Sequence, residues 1–170
     1  MAYSTVREFY SILEDTLMGF LLYPYLKSIR KRMSQSPKFY FFDNGVTRAI
    51  LGSLRNPPNF LEKGRLFEQW FIQEVDRINK YFSKDWKLFF WRTSHGAEVD
   101  LVIEQAGKMI CAIECKCKQT LSRADLSGLH SILEEQPKIP CYIVAPIKTP
   151  LKIDTVNVLP PFEMLKRLKE

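Results

Sequence analysis

Long apolar runs are missing from this chain of 170 residues. A membrane-spanning helix needs about 20 such residues in succession, and the best stretch, Leu17 to Leu26, is broken by Pro24. No secretory leader is expected, because Arg7, Glu8, Glu14 and Asp15 interrupt the start. No Gly-x-x-x-x-Gly-Lys-[Ser/Thr] loop is present to cradle a nucleotide, nor any Gly-x-Ser-x-Gly elbow to present a serine nucleophile. Histidine is scarce, and His95 and His130 form no ligand pattern with the cysteines. Cys111, Cys115 and Cys117 alternate along one strand face, where cysteine acts as a small hydrophobe. They lack zinc-knuckle spacing and point to reduced thiols in a cytoplasm. Internal repeats and low-complexity tracts are absent as well.

Apolar residues make up 46% of the chain and charged residues 26%, the proportions of a folded globular domain. The length suffices for one sizeable core with a small appendage. A net charge of +6 favours nucleic acid over acidic partners.

The densest chemistry lies between Gly96 and Lys118, which reads as two strands joined by a tight turn. Successive strand side chains point to opposite faces. Asp100 therefore shares a face with Glu98, and Glu114 shares one with Lys116. Gln105-Ala106-Gly107 suits a three-residue hairpin loop with Gly107 in the left-handed position. That loop pairs Glu104 with Lys108, sets Asp100 opposite Ala112 and Glu98 opposite Glu114, and makes Asp100 and Glu114 diagonal neighbours. A two-residue loop would put Asp100 on the other face. Val99, Leu101 and Ile103 with Cys111, Ile113, Cys115 and Cys117 are expected on one apolar face. Carboxylates crowded on a half-buried surface repel unless something positive sits among them. Hard oxygen ligands suit Mg²⁺ (or Mn²⁺), which needs one or two carboxylates and keeps several waters. Lys116, two residues beyond Glu114, would sit beside that ion and hold an attacking water or neutralise a phosphate.

Around this hairpin the remaining elements follow from periodicity. Thr5-Val6-Arg7-Glu8 fits a capping box opening an amphipathic helix that Gly19 ends. Phe20–Tyr25 and Phe39–Phe42 read as strands. The basic run Lys27-Ser28-Ile29-Arg30-Lys31-Arg32 between them is usually a solvated feature, though it could touch phosphates. Asp43-Asn44-Gly45 is a turn before a short helix, Val46–Leu51. Arg55-Asn56-Pro57-Pro58-Asn59 marks a boundary between an N-terminal extension, 1–58, and a main domain, 59–170. The longest helix, about Glu62 to Phe82, carries Phe67, Trp70, Phe71, Val75, Ile78 and Phe82 as its buried stripe, with Glu68 at the edge. A strand at Lys87–Arg92, the hairpin, a helix after Ser122, a buried strand at Cys141–Ala145, a strand at Val156–Leu159 and a helix at Phe162–Leu168 complete the chain. Strand, helix and strand at these lengths imply a parallel crossover.

Asp100, then Glu114-x-Lys116, resembles the PD-(D/E)xK nuclease superfamily, whose fold is restriction-endonuclease-like. The match is closer to the C-terminal domain of a family of bacterial and archaeal AAA-type ATPases known as DUF4143. There the segments resemble Pro37-Lys38-Phe39-Tyr40-Phe41-Phe42-Asp43-Asn44-Gly45, Gly64-Arg65-Leu66-Phe67-Glu68, Trp91-Arg92-Thr93, Gly96-Ala97-Glu98-Val99-Asp100 and Ile113-Glu114-Cys115-Lys116. The resemblance implies an α/β fold with an α-β-β-β-α-β core, a mixed sheet flanked by helices, and a partial winged-helix-like N-terminal extension. It also implies that Glu68 adds a ligand to the metal site, the alternative being an exposed Glu68 paired with Arg65 or Lys63. Any ATPase part would lie outside this chain.

These observations give two functional expectations. In one, the chain is a metal-dependent nuclease acting on DNA. Asp100 and Glu114 hold one or two Mg²⁺ with the Cys115 carbonyl, Glu68 assists, and Lys116 positions the nucleophile. Arg92, Lys118 and Arg123 contact phosphates. In the other, it is a catalytically silent module that binds nucleic acid or a partner for an ATPase elsewhere. A purely structural domain would instead leave Asp100, Glu114 and Lys116 on solvent.

Overall fold

Strands that alternate apolar and polar residues, separated by helices with a three-to-four-residue repeat, must bury their faces against one another. The computed structural model describes residues 3–26 and 36–170 and shows how they do so. In chain order these residues form α1 (Tyr3–Asp15), β1 (Gly19–Pro24), β2 (Lys38–Phe41), α2 (Asn44–Ile50) and α3 (Phe60–Tyr81). Then come β3 (Lys87–Arg92), β4 (Glu98–Gln105), β5 (Lys108–Cys115), a 3₁₀ turn (Arg123–Leu126) and α4 (Ser127–Glu135). The chain closes with β6 (Cys141–Val144), β7 (Leu151–Ile153), β8 (Val156–Leu159) and α5 (Pro161–Lys169). The basic run from Lys27 to Arg32 lies outside the described residues.

Eight strands of the described residues make one mixed sheet in the order β2-β1-β3-β4-β5-β6-β8-β7. β4 pairs antiparallel with β3 and β5, whereas β6 runs parallel to both β5 and β8. β5 and β6 thus form the expected parallel pair around α4. β1 pairs in parallel with β3 through Tyr23 and Pro24, so the sheet continues into the N-terminal segment. Phe71, Ile72 and Val75 of α3 and Met164 of α5 cover one face, packing on Leu101, Ile103 and Ile113. Leu129 and Ile132 of α4 cover the other, with Val99, Val102 and Ala112. Each buried aliphatic side chain contributes about 1.5–3 kcal/mol, so these faces supply most of the driving force.

Local chemistry sets several boundaries differently from the expectation. Thr5 lies inside α1, already helical at Tyr3, so its capping box does not open the helix. Leu17, with φ of 59°, turns the chain after α1. Gly19 instead starts β1, where a Cβ would meet the Tyr40 carbonyl at 2.3 Å. Asp43 is the N-cap of α2, its Oδ1 accepting from the amides of Gly45 and Val46 at 2.7 and 3.1 Å. Asn59 caps α3 by accepting from the Glu62 amide. Phe82 falls past the end of α3 and is exposed, and Ile72 takes its place in the buried stripe. Strand β7 was not anticipated; its three residues are too few to show an alternation.

The hairpin departs from expectation twice, and the departures offset each other. Its loop has two residues, Ala106 and Gly107, both at positive φ, and the flanking pairs are Gln105 with Lys108 and Glu104 with Met109. Alone, that shift would move Asp100 to the other face. The next pair, however, is Ile103 with Cys111, so Ile110 is an extra residue in β5 and forms a bulge. Beyond it Leu101 faces Ile113, which brings Asp100 level with Glu114 rather than Ala112. A second bulge lies between β3 and β4: Phe89 pairs with Val102 but Trp91 with Val99. Three steps of β4 therefore match two of β3, around Asp100 and Leu101. This bulge puts Val99 in the cluster under α4, not on the expected face with Leu101 and Ile103.

Candidate functional site

The start of β4 and the end of β5 lie side by side beneath the first turns of α3, and a cleft of about 360 Å³ opens there. Glu68, Asp100, Glu114, Cys115 and Lys116 line it, with Arg65 and Lys118. The hairpin supplies Asp100 and Glu114, and the bulge in β4 turns Asp100 toward α3. Gly128 of α4 lies against the start of β4, where a Cβ would come within 2.0 Å of the Glu98 carbonyl oxygen. Only glycine allows that approach.

Asp100 and Glu114 are both buried. Asp100 Oδ2 accepts from the Cys115 amide at 2.8 Å, tying the two strand ends together. Burial, then the Glu114 and Glu68 carboxylates, push Asp100 well above the usual carboxylate range, while Lys38 and the Cys115 amide oppose this. Burial raises Glu114 too, opposed by Lys116, whose Nζ donates to Glu114 Oε1 at 2.6 Å. Burial would lower the Lys116 ammonium, but Glu114 outweighs it and holds the lysine protonated. Glu114 Oε2 is buried without a hydrogen-bond partner. A buried carboxylate oxygen left bare is costly and attracts a cation.

Lys38 of β2 was not anticipated as a site residue. Its Nζ lies 2.6 Å from Glu98 Oε1, 2.9 Å from Glu68 Oε1 and 3.8 Å from Asp100 Oδ1. Burial would lower its pKa, but Glu68 and Asp100 outweigh burial and raise it. Tyr40, two residues on, donates to Glu68 Oε1 at 2.5 Å, and burial followed by Glu68 keeps that phenol protonated. Glu68 thus reaches the cluster but is held by Lys38 and Tyr40, not by Arg65 or Lys63. The usable sequence signal was the spacing of Lys38 and Tyr40, which puts both on one strand face. The sequence did not say that this face meets α3 and β4.

The expected phosphate contacts divide. Lys118 lines the cleft and pairs with Asp125 at 2.6 Å. Arg92 pairs with Glu98 at 2.8 Å, at the edge of the acidic cluster. Arg123 lies elsewhere, 3.6 Å from Asp154 in the turn before β8. Arg65, considered only as a partner of Glu68, is the cationic residue of α3 that lines the cleft.

Hard carboxylate oxygens and a backbone carbonyl form a donor set for a small dication. Among the described residues no three His, Cys, Asp or Glu side chains converge closely enough to enclose an ion. The cleft offers a pair of carboxylates, Asp100 and Glu114, with one bare oxygen. That pair matches the one or two carboxylates that Mg²⁺ uses.

The family described as Domain of unknown function (DUF4143) matches residues 63–164, and a second, Domain of unknown function (DUF8612), matches residues 1–56. Uncharacterized proteins of Mycobacterium tuberculosis and Mycobacterium bovis are each 30% identical over 114 residues, which cover 64% of this chain and 24% of theirs. The chain therefore spans about a quarter of the length of these relatives. No solved structure matches the chain significantly.

Proposed function

This chain belongs to the DUF4143 family, and from that premise we propose that its cleft is a metal-dependent site for hydrolysing phosphodiester bonds in DNA. The observation that carries the reading is the pair Asp100 and Glu114. Two buried carboxylates on adjacent strands, one with a bare oxygen, are poorly stable without a cation. A surface salt-bridge network would leave them in water, which this arrangement does not. Asp100, Glu114 and the Cys115 carbonyl would hold Mg²⁺ or Mn²⁺. A bound dication supplies a water of lowered pKa and polarises the scissile phosphate. Lys116 keeps its proton beside Glu114 and orients the attacking water or neutralises phosphate charge. Lys118 and Arg65 face an incoming phosphate backbone, and Arg92 stands at the rim. Among the described residues no element that would read base edges is evident, so the proposed binding follows the backbone rather than sequence. The whole protein is proposed to work in the cytoplasm, with an ATPase part outside this chain.

One observation favours the rival, a silent binding module: Lys38 already pairs with Glu68 and Glu98, and Arg92 with Glu98, so both acids are neutralised without a metal. Cleavage separates the two readings. Hydrolysis predicts Mg²⁺- or Mn²⁺-dependent nicking of plasmid or branched DNA, lost in Glu114→Ala and in Lys116→Ala. DNA bound in a gel shift by the wild type and both variants, with no cleavage by any of them, establishes the silent module.

A further inference from the structure

Glu68, Asp100 and Glu114 line this cleft and Glu98 lies beside it, and one ammonium stands among three of these four carboxylates. Lys38 Nζ touches Glu98 and Glu68 at 2.6 and 2.9 Å and approaches Asp100 at 3.8 Å, and its side chain is only 27% exposed. Its stem passes Phe90, the ammonium 5.4 Å from the ring centre, so the group is confined on several sides. Glu114 lies outside its reach: Glu114 Oε1 pairs with Lys116, while Oε2, on a residue 7% exposed that lines the cleft, is buried with no partner. The cluster therefore has two halves. Glu68 and Glu98 are neutralised from within the chain. Asp100 and Glu114 are not fully neutralised.

We propose that Lys38 stands in the position of a second cation, so that the cleft takes a single divalent ion, on Asp100 and Glu114. This rests on the metal-binding reading above. Two dications sharing bridging carboxylates sit about 4 Å apart, and they need the oxygens of both halves. With Lys38 between Glu68, Glu98 and Asp100, a second ion would have to displace a half-buried ammonium from two short ion pairs and then lie beside it. Like charges at that distance repel strongly in a half-buried site. Lys38 comes from β2 and the acids from α3 and β4, so an edge strand of the N-terminal segment sets the metal stoichiometry of the main domain.

The test is a Mn²⁺ titration of the purified chain, with bound ion counted by calorimetry and by the electron-spin signal of free Mn²⁺. Wild type is expected to bind one ion. Lys38→Met and Lys38→Gln are expected to bind two. Glu98→Gln, whose carboxylate is assigned to Lys38, is expected to change the affinity of the first ion by no more than about threefold. Asp100→Asn is expected to weaken it at least about tenfold. Two ions in the wild type, or one ion at unchanged affinity in both folded Lys38 variants, overturn the inference while leaving the metal site standing. A tenfold loss in Glu98→Gln overturns it as well, without relying on the Lys38 variants folding. No binding by wild type or any variant removes the metal site itself, and this inference with it.

Discussion

Asp100 is where burial and charge conflict most sharply. Its carboxyl is raised by burial and by Glu114 and Glu68. Between the ordinary carboxylate range and its folded value, the native state holds a proton that the unfolded chain has released. Stability then falls as pH rises through that window. Asp100→Asn keeps an oxygen to accept from the Cys115 amide but carries no charge. With chelator present, the variant should melt at a higher temperature than wild type at pH 8, and the gap should close as pH falls toward 4. Melting curves across that range check this; a variant less stable than wild type at pH 8 would show that Lys38 already compensates Asp100 fully. Asp100, Glu114 and Lys116 were legible in the sequence because one hairpin carries all three. Lys38 and Tyr40 were not, because they meet Glu68 from 30 and 28 residues away.

At the scale of elements, two bulges aim the site. The two-residue turn at Ala106-Gly107 and the extra Ile110 each shift the ladder by one, and together they restore the face that a three-residue loop would have given. The expectation thus reached the right face through the wrong turn, with Asp100 and Glu114 diagonal where the structure sets them level. Sequence spacing did not reveal a bulge, since Ile110 is as good a strand residue as its neighbours. The approach of α4 to β4 is equally specific. Gly128→Ala would force its Cβ against the Glu98 carbonyl at 2.0 Å, which is backbone and yields only if β4 or α4 moves. The expected cost is about 1–3 kcal/mol in urea unfolding. If the cleft hydrolyses DNA as proposed, cleavage should fall further than the lost stability explains, because the displaced strand carries Asp100. A variant with wild-type stability and wild-type cleavage would mean that α4 does not position the strand.

At the scale of the molecule, 25 Lys and Arg against 19 Asp and Glu leave a net charge of +6, whereas Glu68, Asp100, Glu114 and Asp125 slightly outnumber Arg65, Lys116 and Lys118 in the cleft. If the chain binds DNA through its phosphates, association releases counterions and the logarithm of affinity falls linearly with the logarithm of salt. Gel shifts between 50 and 200 mM salt should show that slope; an affinity indifferent to salt would exclude backbone-dominated binding. No helix among the described residues is long and apolar enough to cross a membrane. Residues 1–56 and 63–164 match two different families, yet strands from both segments share one sheet, and Lys38 from the first reaches Glu68, Glu98 and Asp100 in the second.

The sequence by itself determined the α/β class, most helices and strands, and the carboxylate pair with its lysine. These are properties of local periodicity and of residues only one hairpin apart. Tertiary structure decided the rest: which strand lies at each place in the sheet, how the bulges turn Asp100, and that a lysine from an edge strand pairs with half of the acidic cluster. Charges attract across space without regard to their separation along the chain. Their pairing was fixed only when α3 and β2 packed together.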